Sequence, residues 1–184
     1  MKNIFLIILL NIAVSCSAQI YSLRPTEISL PENSYQKDIN NELSSYEGIW
    51  KGTWNNKTIF ITFKKIKNKY DEDFKYYRDF LIGKFKVLDN NGNILFDNTN
   101  LTDDKAKIQG INFRRYGDKY SLVYIDPDLC SISGSIKVSF TDATKTKLNW
   151  NLYVDSDIIT TDCPYYNTTP FPQALPEEIV LTKQ

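Results

Sequence analysis

The chain contains 184 residues, and its 22 basic and 22 acidic side chains give a formal net charge of zero. A chain of this length forms one domain of ordinary size, and its balanced charge provides no field that would attract nucleic acid. Histidine is absent from the sequence, which excludes Ser-His and Cys-His nucleophile pairs and histidine-ligated metal sites. We therefore predict no nucleic-acid partner, no cofactor and no metal site.

The first eighteen residues have the pattern of a bacterial secretion signal. Lys2 supplies the positive charge that such signals carry near their start. Residues 4–14 (IFLIILLNIAV) form an apolar stretch that is too short to cross a bilayer core of about 30 Å as a helix. The pattern predicts a signal peptide over residues 1–18 and an exported protein.

Two cleavage routes fit the end of this signal. Ala13-Val14-Ser15-Cys16 resembles a lipobox, in which case Cys16 becomes the lipidated first residue and anchors the protein to a membrane. Cys16-Ser17-Ala18 before Gln19 also resembles a site for the ordinary signal peptidase, in which case Cys16 is removed. We favour the lipid-anchored route, in the periplasm or at the outer membrane, over secretion into the medium.

The mature chain divides at Tyr46. Residues 19–45 show neither the period of a strand nor that of a helix and contain Pro25 and Pro31, so we interpret them as an N-terminal arm or tether. From Tyr46 onward, short apolar and polar alternations follow one another. Residues 46–184 are therefore predicted to form a single β domain.

Alternating apolar residues predict about eight to ten short strands in this domain. They begin near Trp50, Ile59, Leu81, Ile94, Lys107, Tyr120, Ile136, Leu148 and Ile179. Asn91-Gly92 and residues 116–119 supply tight turns between neighbouring strands. This spacing predicts an all-β fold, either an antiparallel up-and-down barrel or a sandwich, with a lipocalin-like barrel favoured.

Cys130 and Cys163 are the cysteines that remain beyond Cys16. Both lie in loop-like sequence, and an exported protein folds where disulfides persist. We predict a Cys130–Cys163 disulfide that stabilises the fold by about 3–4 kcal/mol. Three acidic loop segments could bring oxygens near this disulfide, namely Asp126-Pro127-Asp128, Asp155-Ser156-Asp157 and Asp162. We interpret them as carboxylates of separate loops.

Two stretches of the chain carry a resemblance to a known family. The first includes Asn33-Ser34-Tyr35, Asp38, Asn40-Asn41-Glu42-Leu43, Tyr46, Gly48, Trp50-Lys51-Gly52 and Trp54, and the second is YYRDFLIGKF at residues 76–85. Together they resemble an uncharacterised family, a domain of unknown function, of small exported proteins from Flavobacteriia and other Bacteroidota. The resemblance implies a source and a compartment, and it implies no catalytic or binding residues.

A shorter motif is similar to one in lipocalins. Gly48-Ile49-Trp50 matches the Gly-x-Trp that lipocalins carry on the first strand, near the closed end of an eight-stranded barrel. The similarity implies a barrel that holds a small ligand. The basic residue of a late strand that caps this tryptophan in lipocalins is not identifiable from the sequence.

Five aromatic residues are candidates for exposed contacts with a sugar or a protein partner. They are Tyr76 and Tyr77 in one strand, and Tyr165, Tyr166 and Phe171 in a proline-rich segment. The alternative for the proline-rich segment is a flap that packs over the mouth of a barrel.

These observations predict a non-catalytic exported envelope protein that binds a small apolar ligand or a cell-envelope component such as an envelope protein. One alternative is a structural or interaction protein without a pocket. The other is an enzyme with two carboxylates about 5–10 Å apart in a cleft, one of them shielded from water. The sequence assigns no residue pair to that enzyme and therefore predicts no catalytic residue.

Overall fold

A computed structural model describes residues 19–24, 29–155 and 159–184. The strands are β1 (Ile20–Ser22), β2 (Tyr35–Lys37), β3 (Gly48–Trp54), β4 (Lys57–Asp71), β5 (Tyr76–Leu88), β6 (Ile94–Asp97), β7 (Ile108–Phe113), β8 (Tyr120–Asp126), β9 (Ile132–Phe140), β10 (Lys147–Val154) and β11 (Glu178–Lys183). Short 3-10 helices span Leu43–Ser45, Asp103–Lys105 and Pro127–Leu129. Within these ranges there is no helix with the length and apolarity needed to traverse a bilayer.

Eight of the strands close into an antiparallel barrel. Strands β3, β4 and β5 form a meander, as do β7 to β11. The two meanders join where β5 pairs with β7 and where β11 pairs with β3. The predicted all-β fold is confirmed, and of the two predicted architectures the chain adopts the barrel.

The junction between β5 and β7 is a short seam of two residue pairs, as is the junction between β11 and β3. Ile82 lies opposite Gln109 and Gly83 lies opposite Ile108, after which the two strands separate. Neighbouring strands elsewhere in the meanders pair over longer stretches, such as the seven residue pairs that join β8 to β9. Closure at this seam therefore needs contacts in addition to the backbone ladder.

Two side chains supply these contacts. The Arg78 guanidinium donates from Nη1 to the carbonyl oxygens of Gly110 and Ile111, at 3.1 and 3.2 Å. The Leu81 N–H donates to the Tyr120 hydroxyl at 3.4 Å. A Cβ atom on Gly110 would lie 2.2 Å from that hydroxyl oxygen, so glycine is required where the tyrosine crosses β7.

The barrel interior is filled. Every barrel strand contributes inward side chains to one contiguous cluster of buried residues, as the period of two along a strand requires. The cluster runs from Leu23 and Leu43 at one end to Ala174 and Leu175 at the other. Its largest fully buried members are Trp50, Trp150, Tyr46, Tyr120, Tyr124, Phe85 and Phe113.

The predicted arm lies against the barrel over its described residues. Strand β1 pairs in parallel with β2, which pairs in parallel with the start of β5. Asp38 fixes the arm further, because its carboxylate accepts from the backbone N–H of Leu43 at 3.1 Å and from Lys65 Nζ at 2.9 Å. These contacts close the barrel end at which β3 begins.

Candidate functional site

The closed end of the barrel is built around Trp50, which is fully buried. Its indole N–H donates to the carbonyl oxygen of Tyr46 at 2.7 Å. The Lys183 ammonium lies 5.3 Å from the Trp50 ring centre and donates to the Ser45 carbonyl oxygen at 2.9 Å. Lys183 is thus a basic residue on the last strand that caps this tryptophan, which the sequence did not identify.

The opposite end, the mouth, is covered by the segment that precedes β11. We call residues 159–177 the flap. The predicted disulfide between Cys130 and Cys163 is confirmed, and it ties the flap to the loop after β8. Trp150 donates its indole N–H to the Pro176 carbonyl oxygen at 2.9 Å. Since Ala174 and Leu175 belong to the core, the flap closes the barrel.

The five candidate aromatic residues lie at both ends of the molecule. In the flap, Tyr165 and Phe171 are half-buried and meet edge to face at 5.9 Å, whereas Tyr166 is 50% exposed. Tyr76 and Tyr77 are half-buried on β5, close to the closed end. The structure therefore does not bring the five side chains together on one surface.

A charged cluster lies below the flap, where β8 ends. The Asp126 carboxylate is fully buried and accepts from Lys107 Nζ at 2.5 Å and from the Tyr124 hydroxyl at 2.7 Å. It also accepts from the Asp128 backbone N–H at 3.0 Å. Asp128 also binds the Lys107 ammonium, at 2.7 Å, so the two carboxylates of this loop form one cluster with Lys107.

Burial and direct contacts determine the protonation of Tyr124 and the pairing of Lys107 in this cluster. Burial, together with the charge of the adjacent Asp126 carboxylate, raises the pKa of Tyr124 above its ordinary value, so its hydroxyl stays protonated and donates. The Lys107 side chain is only 9% exposed. A buried carboxylate of this kind persists because Lys107 neutralises it and three donors bind it.

The cluster forms one wall of a cleft of about 160 Å³. The other walls are side chains of β5, of β6 and the residue after it, of the 3-10 helix Pro127–Leu129 and of the flap. They include Phe96, Asn98, Leu129 and Tyr165. Short-range sequence patterns did not reveal this cleft, since it joins the end of β6, the start of β7, the end of β8 and the flap.

Asn98, a residue of the cleft wall, has a buried side-chain donor without a partner among the described residues. The residue is 5% exposed, and its Oδ1 accepts from the Phe85 backbone N–H at 2.6 Å. A backbone N–H can only donate, so the amide oxygen must face Phe85 and the amide nitrogen must face away. Nδ2 is buried and has no hydrogen-bond partner within the described residues. Leaving such a donor unpaired costs about 1–3 kcal/mol.

Two further depressions lie on the outer wall of the barrel, on either side of Asp103, with volumes of about 250 and 240 Å³. The Asp103 carboxylate binds Lys64 Nζ at 2.5 Å and Lys84 Nζ at 2.9 Å. These side-chain hydrogen bonds lower the pKa of the Asp103 carboxyl group. Asp103 is thus paired with two of the lysines that line these depressions, Lys64 and Lys84.

The predicted signal peptide and the lipidation candidate Cys16 lie outside the described residues. The description begins at Gln19, whose carbonyl oxygen accepts from the Tyr35 backbone N–H at 2.8 Å. The chain is therefore fixed to the closed end of the barrel from the third residue after Cys16.

Comparison with known proteins gives one family match. The profile of a family of unknown function (DUF6705) matches residues 1–184, which confirms the predicted resemblance to a domain of unknown function. No curated protein and no solved structure matches the chain. The bacterial source and the similarity to lipocalins stay predictions.

Proposed function

Because the chain belongs to DUF6705, a family of unknown function, its role has to be inferred from its own residues, and we propose a non-catalytic, exported binding protein of the bacterial cell envelope. In this proposal the barrel is a solid scaffold, and a cell-envelope component binds outside the barrel interior, at the mouth. The source we propose is a member of the Flavobacteriia or another group of Bacteroidota.

Three features support export and attachment. The apolar stretch at residues 4–14 has the length of a signal peptide core. The Cys130–Cys163 disulfide is compatible with folding in an oxidising compartment. Cys16 follows a lipobox-like sequence, and we propose that it carries a lipid that holds the protein on a membrane.

The filled interior is the observation that carries the proposed mode of binding. A lipocalin-like carrier needs an apolar cavity of several hundred cubic ångströms. Trp50, Trp150 and Tyr124 occupy the space where such a ligand would lie, and each is almost fully buried. This packing supports the predicted alternative in which the protein interacts through its surface.

The carboxylates of the cleft support a non-catalytic role. A glycosidase-like pair needs one protonated carboxyl group as the acid. Lys107 Nζ lies between the Asp126 and Asp128 carboxylates, at 2.5 Å from one and 2.7 Å from the other, and forms an ion pair with each. With an ammonium group between them, the two carboxylates cannot hold a reacting bond between them.

A carrier of an apolar ligand is the second candidate function. The contact of Lys183 with Trp50 favours this function, because lipocalins carry a basic residue that caps the corresponding tryptophan at the closed end. For this function the flap would have to leave the mouth and its core side chains, such as Leu175, would have to vacate the interior.

An apolar fluorescent probe separates the two candidates. We would titrate cis-parinaric acid into the mature protein and into the Cys130→Ser/Cys163→Ser double variant, whose flap is no longer cross-linked. The proposal predicts no saturable binding and no energy transfer from tryptophan in the cross-linked protein. Stoichiometric binding with quenching of tryptophan emission in that protein would establish the carrier instead, and the double variant reports whether the flap is the barrier.

A further inference from the structure

The mouth combines exposed carboxylates with exposed apolar side chains. We propose that it docks a basic segment of another envelope protein, one that carries lysine or arginine beside apolar side chains. This inference rests on the proposed function, because it names the kind of envelope component that binds at the mouth.

Basic residues are missing from the part of the chain that covers the mouth. Residues 148–182, which run from β10 through the flap into β11, contain no lysine or arginine. The basic residues that border this stretch, Lys147 and Lys183, lie at the closed end. The same stretch contains five acidic residues, namely Asp155, Asp157, Asp162, Glu177 and Glu178, of which Asp157 lies outside the described residues. The mouth is therefore acidic on this side, although the chain has no net charge.

Two carboxylates at the mouth lack a cationic partner. Asp155 and Asp162 are exposed, and neither forms an ion pair with a lysine or arginine of the described residues. The Asp155 carboxylate accepts from the Ser133 hydroxyl at 2.7 Å. The carboxylate of Asp128 is paired with Lys107, but its side chain is 81% exposed. All three carboxylates can thus be reached by cationic groups of a partner.

Asp128 and Asp162 face each other across a second cleft, which lies beside the disulfide and has a volume of about 370 Å³. We call it the disulfide cleft. Its other walls are Pro127, Cys130, Ser131, Thr160, Cys163 and Pro164, so none of these lining residues is basic. Lysine and arginine can bury their aliphatic stems while their charged ends stay in water. The disulfide cleft has room for such a stem and offers its charged end a carboxylate on either side.

Exposed apolar side chains lie next to these carboxylates on the outer wall of the barrel. Ile125 lies opposite Ser133, whose carbonyl oxygen accepts from the Asp155 backbone N–H at 2.9 Å. Ile125 and Asp155 are therefore two strand spacings apart, roughly 10 Å. Ile125 is 48% exposed, and Tyr153, two residues before Asp155, is 55% exposed. Lys137, whose ammonium lies 4.4 Å from the Tyr153 ring centre, borders this surface on the side away from the mouth.

The spread of these groups favours a protein segment over a metal ion or a membrane. Among the described residues, no three acidic side chains are placed to hold a metal ion together. An anionic lipid surface would be repelled by the exposed carboxylates. An extended peptide places successive side chains of one face about 7 Å apart, so a single segment can reach both the carboxylates and the apolar side chains.

The test measures binding of three blocked peptides of equal length to the full mature protein with its disulfide closed. One peptide alternates lysine with leucine, the second alternates glutamate with leucine, and the third alternates lysine with glycine. Backbone amide NMR shifts are recorded during each titration. We expect saturable binding of the lysine–leucine peptide, with shifts at Ile125, Asp155 and Asp162, and weaker binding as sodium chloride is added. The lysine–glycine peptide should bind less tightly, and the glutamate–leucine peptide should not bind.

A matched pair of double variants tests the charges. Asp155→Asn/Asp162→Asn removes two unpaired charges at the mouth and is expected to weaken binding of the lysine–leucine peptide about fivefold. Glu72→Gln/Asp73→Asn removes two exposed charges from the turn between β4 and β5, at the other end of the barrel. Because the two double variants have the same net charge, the second is expected to leave binding unchanged if the mouth is the docking surface.

A second matched pair tests the apolar contact. Ile125→Thr keeps a β-branched side chain on β8 and removes apolar surface, so binding of the lysine–leucine peptide should weaken about threefold. Ile39→Thr makes the same change at a residue of the arm that is 57% exposed and should leave binding unchanged. Thermal melting shows whether each variant is folded, and either pair carries the test if a variant of the other unfolds.

Four results would overturn the inference. They are no saturable binding of the lysine–leucine peptide, equally tight binding of the glutamate–leucine peptide, equal weakening by the mouth variants and their controls, and mouth shifts that depend on protein concentration without any peptide. The last result would make a second copy of the chain the occupant. If any of them occurs while the protein still excludes cis-parinaric acid, the docking inference fails and the solid-barrel function stands.

Discussion

Lys183 shows what a single residue contributes to this fold. Its ammonium group joins the last strand, the Trp50 ring and the carbonyl of Ser45 in the first 3-10 helix. Gly48-Ile49-Trp50 was visible in the sequence as a motif, but its partner was not, since the pairing of Lys183 with Trp50 is set by the register between β11 and β3. Two residues so far apart in the sequence come into contact only because the barrel closes and pairs β11 with β3.

Replacing Lys183 with Met tests this cap. The variant keeps an apolar stem of similar length and loses the ammonium group, so both the hydrogen bond to Ser45 and the cation–π contact are removed. We expect the free energy of unfolding in urea to fall by about 1–2 kcal/mol. Lys147→Met, at an exposed lysine on β10, is the matched control and is expected to change stability little. Equal stability of the two variants would show that the cap is not stabilising.

Tyr124 gives stability a dependence on alkaline pH. Burial, followed by the charge of Asp126, raises its pKa in the folded protein, whereas an unfolded tyrosine has a pKa of about 10. Its contribution is therefore fully present below about pH 10 and is lost as the pH rises above that value toward the folded pKa.

The corresponding variant is Tyr124→Phe. At pH 7 it loses the hydroxyl that binds a buried carboxylate, so we expect its free energy of unfolding to fall by about 1–3 kcal/mol. Between pH 9 and about 11, however, its stability should decline less steeply than that of the unchanged protein. Urea unfolding at several pH values measures both effects. Parallel decline of the two proteins would mean that Tyr124 is not the group responsible.

Among the strands, local sequence patterns predicted the hairpins but did not predict the seam between β5 and β7. The turn at residues 89–93 was predicted from Asn91-Gly92, and Gly92 adopts a positive φ of 85° there. The pairing of β7 with β8 was likewise predicted and is confirmed. The seam between β5 and β7 depends on Arg78 and Tyr120, which belong to separate meanders, and no local pattern connects them.

Gly110→Ala tests that seam. The new Cβ would meet the Tyr120 hydroxyl at 2.2 Å, so either the tyrosine or β7 must move. We expect a loss of about 1–3 kcal/mol in unfolding free energy and faster amide hydrogen exchange at Leu81, whose N–H bonds to that hydroxyl.

Tyr120→Phe is the companion variant for Gly110→Ala. It removes the hydrogen bond without adding a clash, so it should accelerate exchange at Leu81 with a smaller loss of stability. If Gly110→Ala left both stability and exchange unchanged, the close approach of Tyr120 to β7 would not be what holds the seam.

For the whole molecule, the arm determines which end would face a membrane. Gln19 is bound at the closed end, level with the β4–β5 hairpin. The three residues from Cys16 to Gln19 span roughly 10–11 Å when extended. With a lipid on Cys16, the closed end would lie against the bilayer and the mouth would point away from it, where an envelope component could reach the cleft.

Brominated lipids test this orientation. Phe74 at the hairpin tip and Tyr166 in the flap are exposed to the same degree, 49% and 50%, so Phe74→Trp and Tyr166→Trp are a matched pair of probes. For lipidated protein in vesicles, we expect quenching of the added tryptophan emission at position 74 and none at position 166. Equal quenching at both positions would contradict the orientation.

We propose a solid barrel held on a membrane, and a single mass measurement tests both the absence of an interior ligand and the lipid anchor. Intact-mass spectrometry under non-denaturing conditions would be applied to the protein purified from the membranes of its own source. We expect a chain that starts at a lipidated Cys16, carries a closed Cys130–Cys163 disulfide and holds no apolar ligand. A chain that starts at Gln19 without lipid, or one that retains a stoichiometric apolar ligand, would contradict the proposal.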